Sequence, residues 1–135
     1  MFNEQAILQV ATSEKNAGDF PKVIEGFKAI GVVKYQFLVK EGIYVFWDAD
    51  GKRMEAQLNG VSKPIASEIS KEKIKSAVKQ AQAGLIDFEM FIELAGLAGS
   101  ALWEADLERM TVTYMASDLS ELLMEPIPPI ASERQ

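Results

Sequence analysis

Residues 32–58 read VVKYQFLVKEGIYVFWDADGKRMEAQL. In 33–40 the side chains alternate with a period of two: Val33, Tyr35, Phe37 and Val39 against Lys34, Gln36, Leu38 and Lys40. That is the period of a strand. Glu41-Gly42 is a turn, and IYVFWD follows, apolar on both sides: Ile43, Val45 and Trp47 against Tyr44 and Phe46. A strand apolar on both faces belongs inside a sheet or under a partner. Asp50-Gly51 is a hairpin turn signal. The next strand sets Met54, Ala56 and Leu58 against Arg53, Glu55 and Gln57. The stretch is therefore a three-strand antiparallel meander.

Helical periods flank it. Ala6, Ile7, Val10 and Ala11 form one stripe in a helix over 3–16, closed by Gly18. Asp19 is an N-cap, with Pro21 just inside a helix that turns Val23, Ile24, Phe27 and Ile30 inward and stops at Gly31. Beyond a loop at 59–69, Ser70 caps a helix over 71–83 with the stripe Ile74, Ala77, Val78 and Ala81, closed by Gly84. Asp87 caps a helix over 88–98 with Phe88, Phe91, Ile92 and Ala95 inward, closed by Gly99. A second hairpin, ALWEADLE and TVTYMA, turns near Arg109-Met110. ELLMEPIPPI starts as a short strand or turn, and Pro126, Pro128 and Pro129 bar it from the middle of a sheet.

Helices and strands are segregated. The class is α+β: an antiparallel sheet of about five strands, meander plus C-terminal hairpin, packed against about four helices. One domain over 1–128 and a flexible tail at 129–135 are expected.

Composition narrows the chemistry. The 135 residues carry a net charge of −6 and contain neither Cys nor His. Thiol nucleophiles, disulfides, iron–sulfur clusters and thiolate zinc sites are excluded, and so is a Ser-His-Asp triad within this chain. A protein-ligated metal would be a hard cation on oxygen, and no cofactor is implied. Charge is uneven: residues 1–79 sum to +2 and residues 80–135 to −8. An acidic half repels phosphate, so no nucleic-acid partner is expected. The cluster Lys63, Lys71, Lys73, Lys75 and Lys79 lacks interleaved aromatics and reads as a solvated helix face. No apolar run approaches membrane-spanning length, and the start MFNEQAILQVATSEKNAGDF lacks a basic n-region. A cytoplasmic protein is the plain expectation.

Three strings carry a resemblance: DFPKVIEGFKAIGVVKY (19–35), the DG turn at 50–51, and the W-x-x-D-L-x-x-M-T-x-T-Y of Trp103, Asp106, Leu107, Met110, Thr111, Thr113 and Tyr114. AGLIDFEMFIELAGLAG (83–99) and EPIP (125–128) add to it. From about Asp19 to Pro128 the chain resembles an uncharacterised bacterial and phage-associated family labelled phage envelope protein-like. The resemblance implies one small domain and no transferable activity. Relatives carry cysteines in the segment matching 88–98, where this chain has none, so it implies no thiol or metal role here.

Few residues suggest chemistry. Asp48-Ala49-Asp50-Gly51 misses the EF-hand spacing and reads as a turn. Glu104, Asp106 and Glu108 share one strand face, which suits a cation site or the solvated side of a sheet. The alternation suggests that Tyr44, Phe46 and Leu38 share a face with Lys34, Gln36 and Lys40 as an apolar island. A helix, a second subunit or a ligand would cover it, in that order of expectation. The candidate ligand-binding residues are Tyr44, Phe46, Trp103, Asp106 and Tyr114. Three readings follow. The first is a non-catalytic interaction or small-ligand-binding module, homodimeric. The second is an enzyme with Asp106 as base and Tyr114 as hydrogen-bond donor, which requires both side chains on one sheet face. The third is a phage-derived structural or accessory protein.

Overall fold

The computed structural model describes residues 20–57 and 60–127, together with Gln5. Apart from Gln5, the helix expected over 3–16 lies outside the described residues, as do the Asp19 cap and the tail. Three helices and six strands are described. In chain order they are α1 (Phe20–Ala29), β1 (Val32–Leu38), β2 (Ile43–Asp48), β3 (Arg53–Ala56), α2 (Lys71–Gln82), α3 (Phe88–Leu97), β4 (Leu102–Asp106), β5 (Thr111–Met115) and β6 (Glu121–Pro126). The strands form one antiparallel sheet in the order β3-β2-β1-β4-β5-β6. The fold is α+β. One strand more than expected is present, because ELLMEP pairs with β5. Its Pro126 stands at the end of an edge strand, where a missing N–H leaves no ladder bond unmade.

The local chemistry explains the helix ends. Ser70 Oγ accepts from the Lys73 N–H at 3.2 Å, and Asp87 Oδ1 from the Met90 N–H at 2.8 Å. Each satisfies an N–H that has no partner inside its helix. Past the other ends, Gly84 and Gly99 take φ of 74° and 87°, a region costly for a residue with a Cβ. α2 and α3 then bury the stripes that the periodicity predicts: Ile74, Ala77, Val78 and Ala81, and Phe91, Ile92 and Ala95.

Helices and sheet meet over a core of rings. Phe27 of α1 wedges edge-on between Tyr35 and Phe46, with centroids 5.4 and 5.1 Å away. Phe37 stacks on Trp103 at 4.8 Å and meets Tyr44 and Phe88 edge-on at 5.0 and 5.5 Å. Phe91 of α3 meets Trp103 and Tyr114 edge-on. These are the geometries that aromatic quadrupoles favour.

The register corrects two expectations. Tyr35 pairs with Phe46 and Phe37 with Tyr44. Directly paired residues share a face. Tyr44 and Phe46 therefore join Tyr35 and Phe37 under the helices, away from Lys34 and Gln36. Val32, rather than Val33, is the buried valine at the start of β1. The β1–β2 register slips between Val32 and Lys34, and the extra residue flips the alternation there.

A loop straps α3 to the sheet. The Lys63 N–H donates to the Val39 carbonyl, Ala66 to Gly96, and Ser70 to Ala98, at 2.8–3.0 Å. Lys63 Nζ donates to Glu89 Oε2 at 3.1 Å and lies 3.4 Å from Glu93 Oε1. The Glu89 hydrogen bond, joined by the charges of both acids, holds this ammonium above its ordinary range. Lys63 thus belongs to the strap, apart from the exposed lysines of α2 with which the sequence groups it. Gly96 lies on the buried side of α3, and a Cβ there would collide with the Pro64 carbonyl oxygen.

Candidate functional site

The sheet has two unlike faces. One carries Tyr35, Phe37, Tyr44, Phe46, Trp103, Ala105, Leu107, Val112 and Tyr114, all buried and continuous with the helices' apolar stripes. The other face meets no helix among the described residues. The pairings arrange it in rows that cross the strands. Trp47, Lys34, Asp106 and Thr111 form one row, and Val45, Gln36, Glu104 and Thr113 the next. Ile43, Leu38, Leu102 and Met115 form the third, apolar across four adjacent strands. Eleven of these twelve residues are half-buried, and Val45 is 1% exposed.

The polar groups of this face are only partly engaged. Gln36 Nε2 donates to Glu104 Oε1 at 2.8 Å. The Lys34 ammonium sits 4.6 Å from the centroid of the Trp47 ring, a cation–π contact. Lys34 forms no ion pair among the described residues, although its register partner is Asp106. Asp106 Oδ1 instead accepts from the backbone N–H groups of Glu108 and Arg109, both at 3.0 Å, which shapes the β4–β5 turn. Its other oxygen lies 3.9 Å from Arg109 Nε, on an exposed side chain.

The five candidate residues do not converge. Tyr44, Phe46, Trp103 and Tyr114 are on the helix face, linked by ring contacts: Tyr44 stacks on Phe46 at 5.6 Å, and Trp103 lies 5.8 Å from Tyr114. Asp106 is on the opposite face. Asp106 pairs with Thr111 and Trp103 with Tyr114, so Tyr114 shares the parity of Trp103. The acid–base pair of Asp106 and Tyr114 is thereby overturned: the sheet itself separates the two groups. Of the apolar island that the sequence places at Tyr44, Phe46 and Leu38, Leu38 alone lies on the open face, with Ile43, Val45, Trp47, Leu102 and Met115.

Tyr114 carries a further consequence. Burial pushes its phenol well above the ordinary tyrosine range, and the charge of Glu125 adds to this. Above pH ~10 the unfolded chain gives up this proton while the folded chain keeps it. The unfolded state then binds fewer protons, so stability falls as pH rises. Tyr114→Phe is expected to flatten the loss of stability above pH ~10 while leaving neutral stability within about 1 kcal/mol. Urea melts at pH 7 and in the alkaline range check it, and an unchanged alkaline slope counts against it.

Two other features bear on ligand binding. Asp48 Oδ1 accepts from the N–H groups of Asp50 and Lys52 at 3.0 and 2.9 Å, so the DADG string is a turn. An open groove of about 740 Å³ lies among Lys40, Ser67, Ile69, Gly99, Asp118 and Ser120. The Asp118 carboxylate there is held below its ordinary range by hydrogen bonds from Ser120, a local turn. None of the five candidates lines this groove. Among the described residues no group of three acids could hold a metal ion, and no helix is long and apolar enough to cross a membrane.

A comparison with curated proteins finds no match. A family model described as a protein of unknown function, DUF1398, matches residues 8–126.

Proposed function

The chain belongs to the DUF1398 family of proteins of unknown function, and from its own surface we propose that it is a non-catalytic interaction module working through the sheet face that meets no helix among the described residues. The observation that carries this reading is the apolar row Ile43, Leu38, Leu102 and Met115, backed by Val45 and Trp47. Antiparallel sheets commonly turn one face to water, and that face is then normally polar. Contiguous apolar area on such a face marks an interaction site. The separation of Asp106 from Tyr114 removes the catalytic alternative drawn from this sequence; Gln36 and Glu104 are joined across the strands, and Asp106 shapes a turn.

A stability contrast tests the reading. Leu38→Glu, at a side chain only half-buried, is expected to cost about 1–2 kcal/mol. The same change at Phe37, one residue away and fully buried, is expected to prevent folding. Thermal melts of both variants check this. If Leu38→Glu melts as badly as Phe37→Glu, the face is core and the reading fails.

A further inference from the structure

We propose that the partner is a second copy of this chain, docked face to face about a two-fold axis that runs parallel to the strands between β1 and β4. The inference rests on the reading of this face as an interaction surface and goes further by naming the occupant.

The pattern of the rows points to this axis. Two sheets can stack about 10 Å apart with their strands nearly aligned. A two-fold axis lying between them, along the strands, keeps each row opposite the same row of the other copy. Left and right are exchanged, so β1 of one copy faces β4 of the other. In the apolar row, Leu38 then faces Leu102 of the second copy, and Ile43 faces Met115. In the charged row, Lys34 faces Asp106. Within each chain Lys34 and Asp106 are also register partners without an ion pair between them. The dimer therefore closes a square of alternating charges, two ammonium groups and two carboxylates. Between the two rows, Gln36 faces Glu104, a donor against an acceptor.

The other simple axis, across the strands, does not do this. It would set the row of Lys34 and Asp106 against the row of Leu38 and Leu102, burying charge against hydrocarbon. Only the axis along the strands is self-complementary in both charge and apolarity. A two-fold interface requires such self-complementarity, because the same patch serves both copies. Six strands at about 4.8 Å spacing give a face about 24 Å wide, enough to seat both rows. The edges offer no rival route: β3 is short and charged at Arg53 and Glu55, and β6 carries Glu121, Glu125 and Pro126.

The geometry supplies its own test. Lys34→Glu makes the square wholly acidic, and Asp106→Lys makes it wholly basic. Each variant alone is expected to weaken the dimer about tenfold or more. Mixed in equal amounts, the two variants set both carboxylates of one chain opposite both ammonium groups of the other. The heterodimer is then expected to recover to within about threefold of the wild type. Sedimentation equilibrium on the full chain reads all three, and native mass spectrometry separates hetero from homo pairs. Asp106→Lys also removes two turn hydrogen bonds. A second pair therefore avoids the turn: Leu38→Glu with Leu102→Lys, which face each other across the same axis. Recovery on mixing either pair supports the proposal. A monomeric wild type, or homodimers indifferent to every substitution, overturns it, as does mixing without recovery. A monomer in which Leu38→Glu remains stable overturns the second copy alone and leaves the face open to a different protein. A constant small-molecule adduct on each chain would make it a carrier instead.

Discussion

Phe37→Ala is expected to lower stability by about 3–5 kcal/mol, the range for deleting a buried aromatic ring. Phe37 is fully buried at the centre of the sheet, on the strand that joins the meander to the C-terminal hairpin. Its ring meets Trp103 from that hairpin, Tyr44 from the meander and Phe88 from α3. The cavity would thus open where the meander, the hairpin and α3 meet. Those neighbours are rings with few alternative rotamers, so the space closes poorly. For a chain of this size the melting temperature should drop by about 10–20 °C. A loss below about 1 kcal/mol would mean that the rings rearrange to fill the site.

Gly96→Ala tests a conflict between local and tertiary preference. In a helix interior, alanine is more favourable than glycine by about 1 kcal/mol. Local propensity alone therefore predicts a gain. The Cβ, however, would strike the Pro64 carbonyl oxygen, and the Val39 side chain lies close as well. The oxygen belongs to backbone fixed by two hydrogen bonds, Lys63 to Val39 and Ala66 to Gly96. Either the strap lifts or α3 moves off the sheet. Overpacking costs about 1–3 kcal/mol and more when the backbone must shift. The expected net result is a loss of about 2 kcal/mol, with faster hydrogen exchange at the Ala66 amide as its signature. A stabilised variant would show that the strap yields at little cost.

The features that were legible in the sequence are short-range ones. Ser70 and Asp87 cap helices through bonds to residues three positions on, and Gly84 and Gly99 end them by their own conformations. The Asp50-Gly51 turn is equally local, with Gly51 at φ 83°. What the sequence misplaced depends on register. In IYVFWD both parities are apolar, so composition cannot say which side is core. The pairing of Phe37 with Tyr44 decides it, and that pairing is set by how the turn at Glu41-Gly42 closes. One slipped residue at Val33 likewise exchanged the two valines. The opposite faces of Asp106 and Tyr114 could have been inferred: a turn over 107–110 pairs 106 with 111, and Tyr114 is three residues beyond Thr111. The β1–β4 junction had no local signal, because residues 34 and 106 are brought together only by the finished sheet. The rows of the open face depend on that junction, so the candidate surface was out of reach before the fold.

The chain's two tryptophans stand on opposite sides of one sheet. Trp103 is 4% exposed among the rings of the core, and Trp47 is half-buried on the open face beneath the Lys34 ammonium. An indole in a dry interior emits at shorter wavelength than one that touches water. The molecule thus carries two native optical reporters, one for the integrity of its interior and one for whatever settles on its surface. With Trp103 replaced by phenylalanine, the remaining tryptophan emission comes from the open face alone, and the proposed docking can be followed in real time without any attached label.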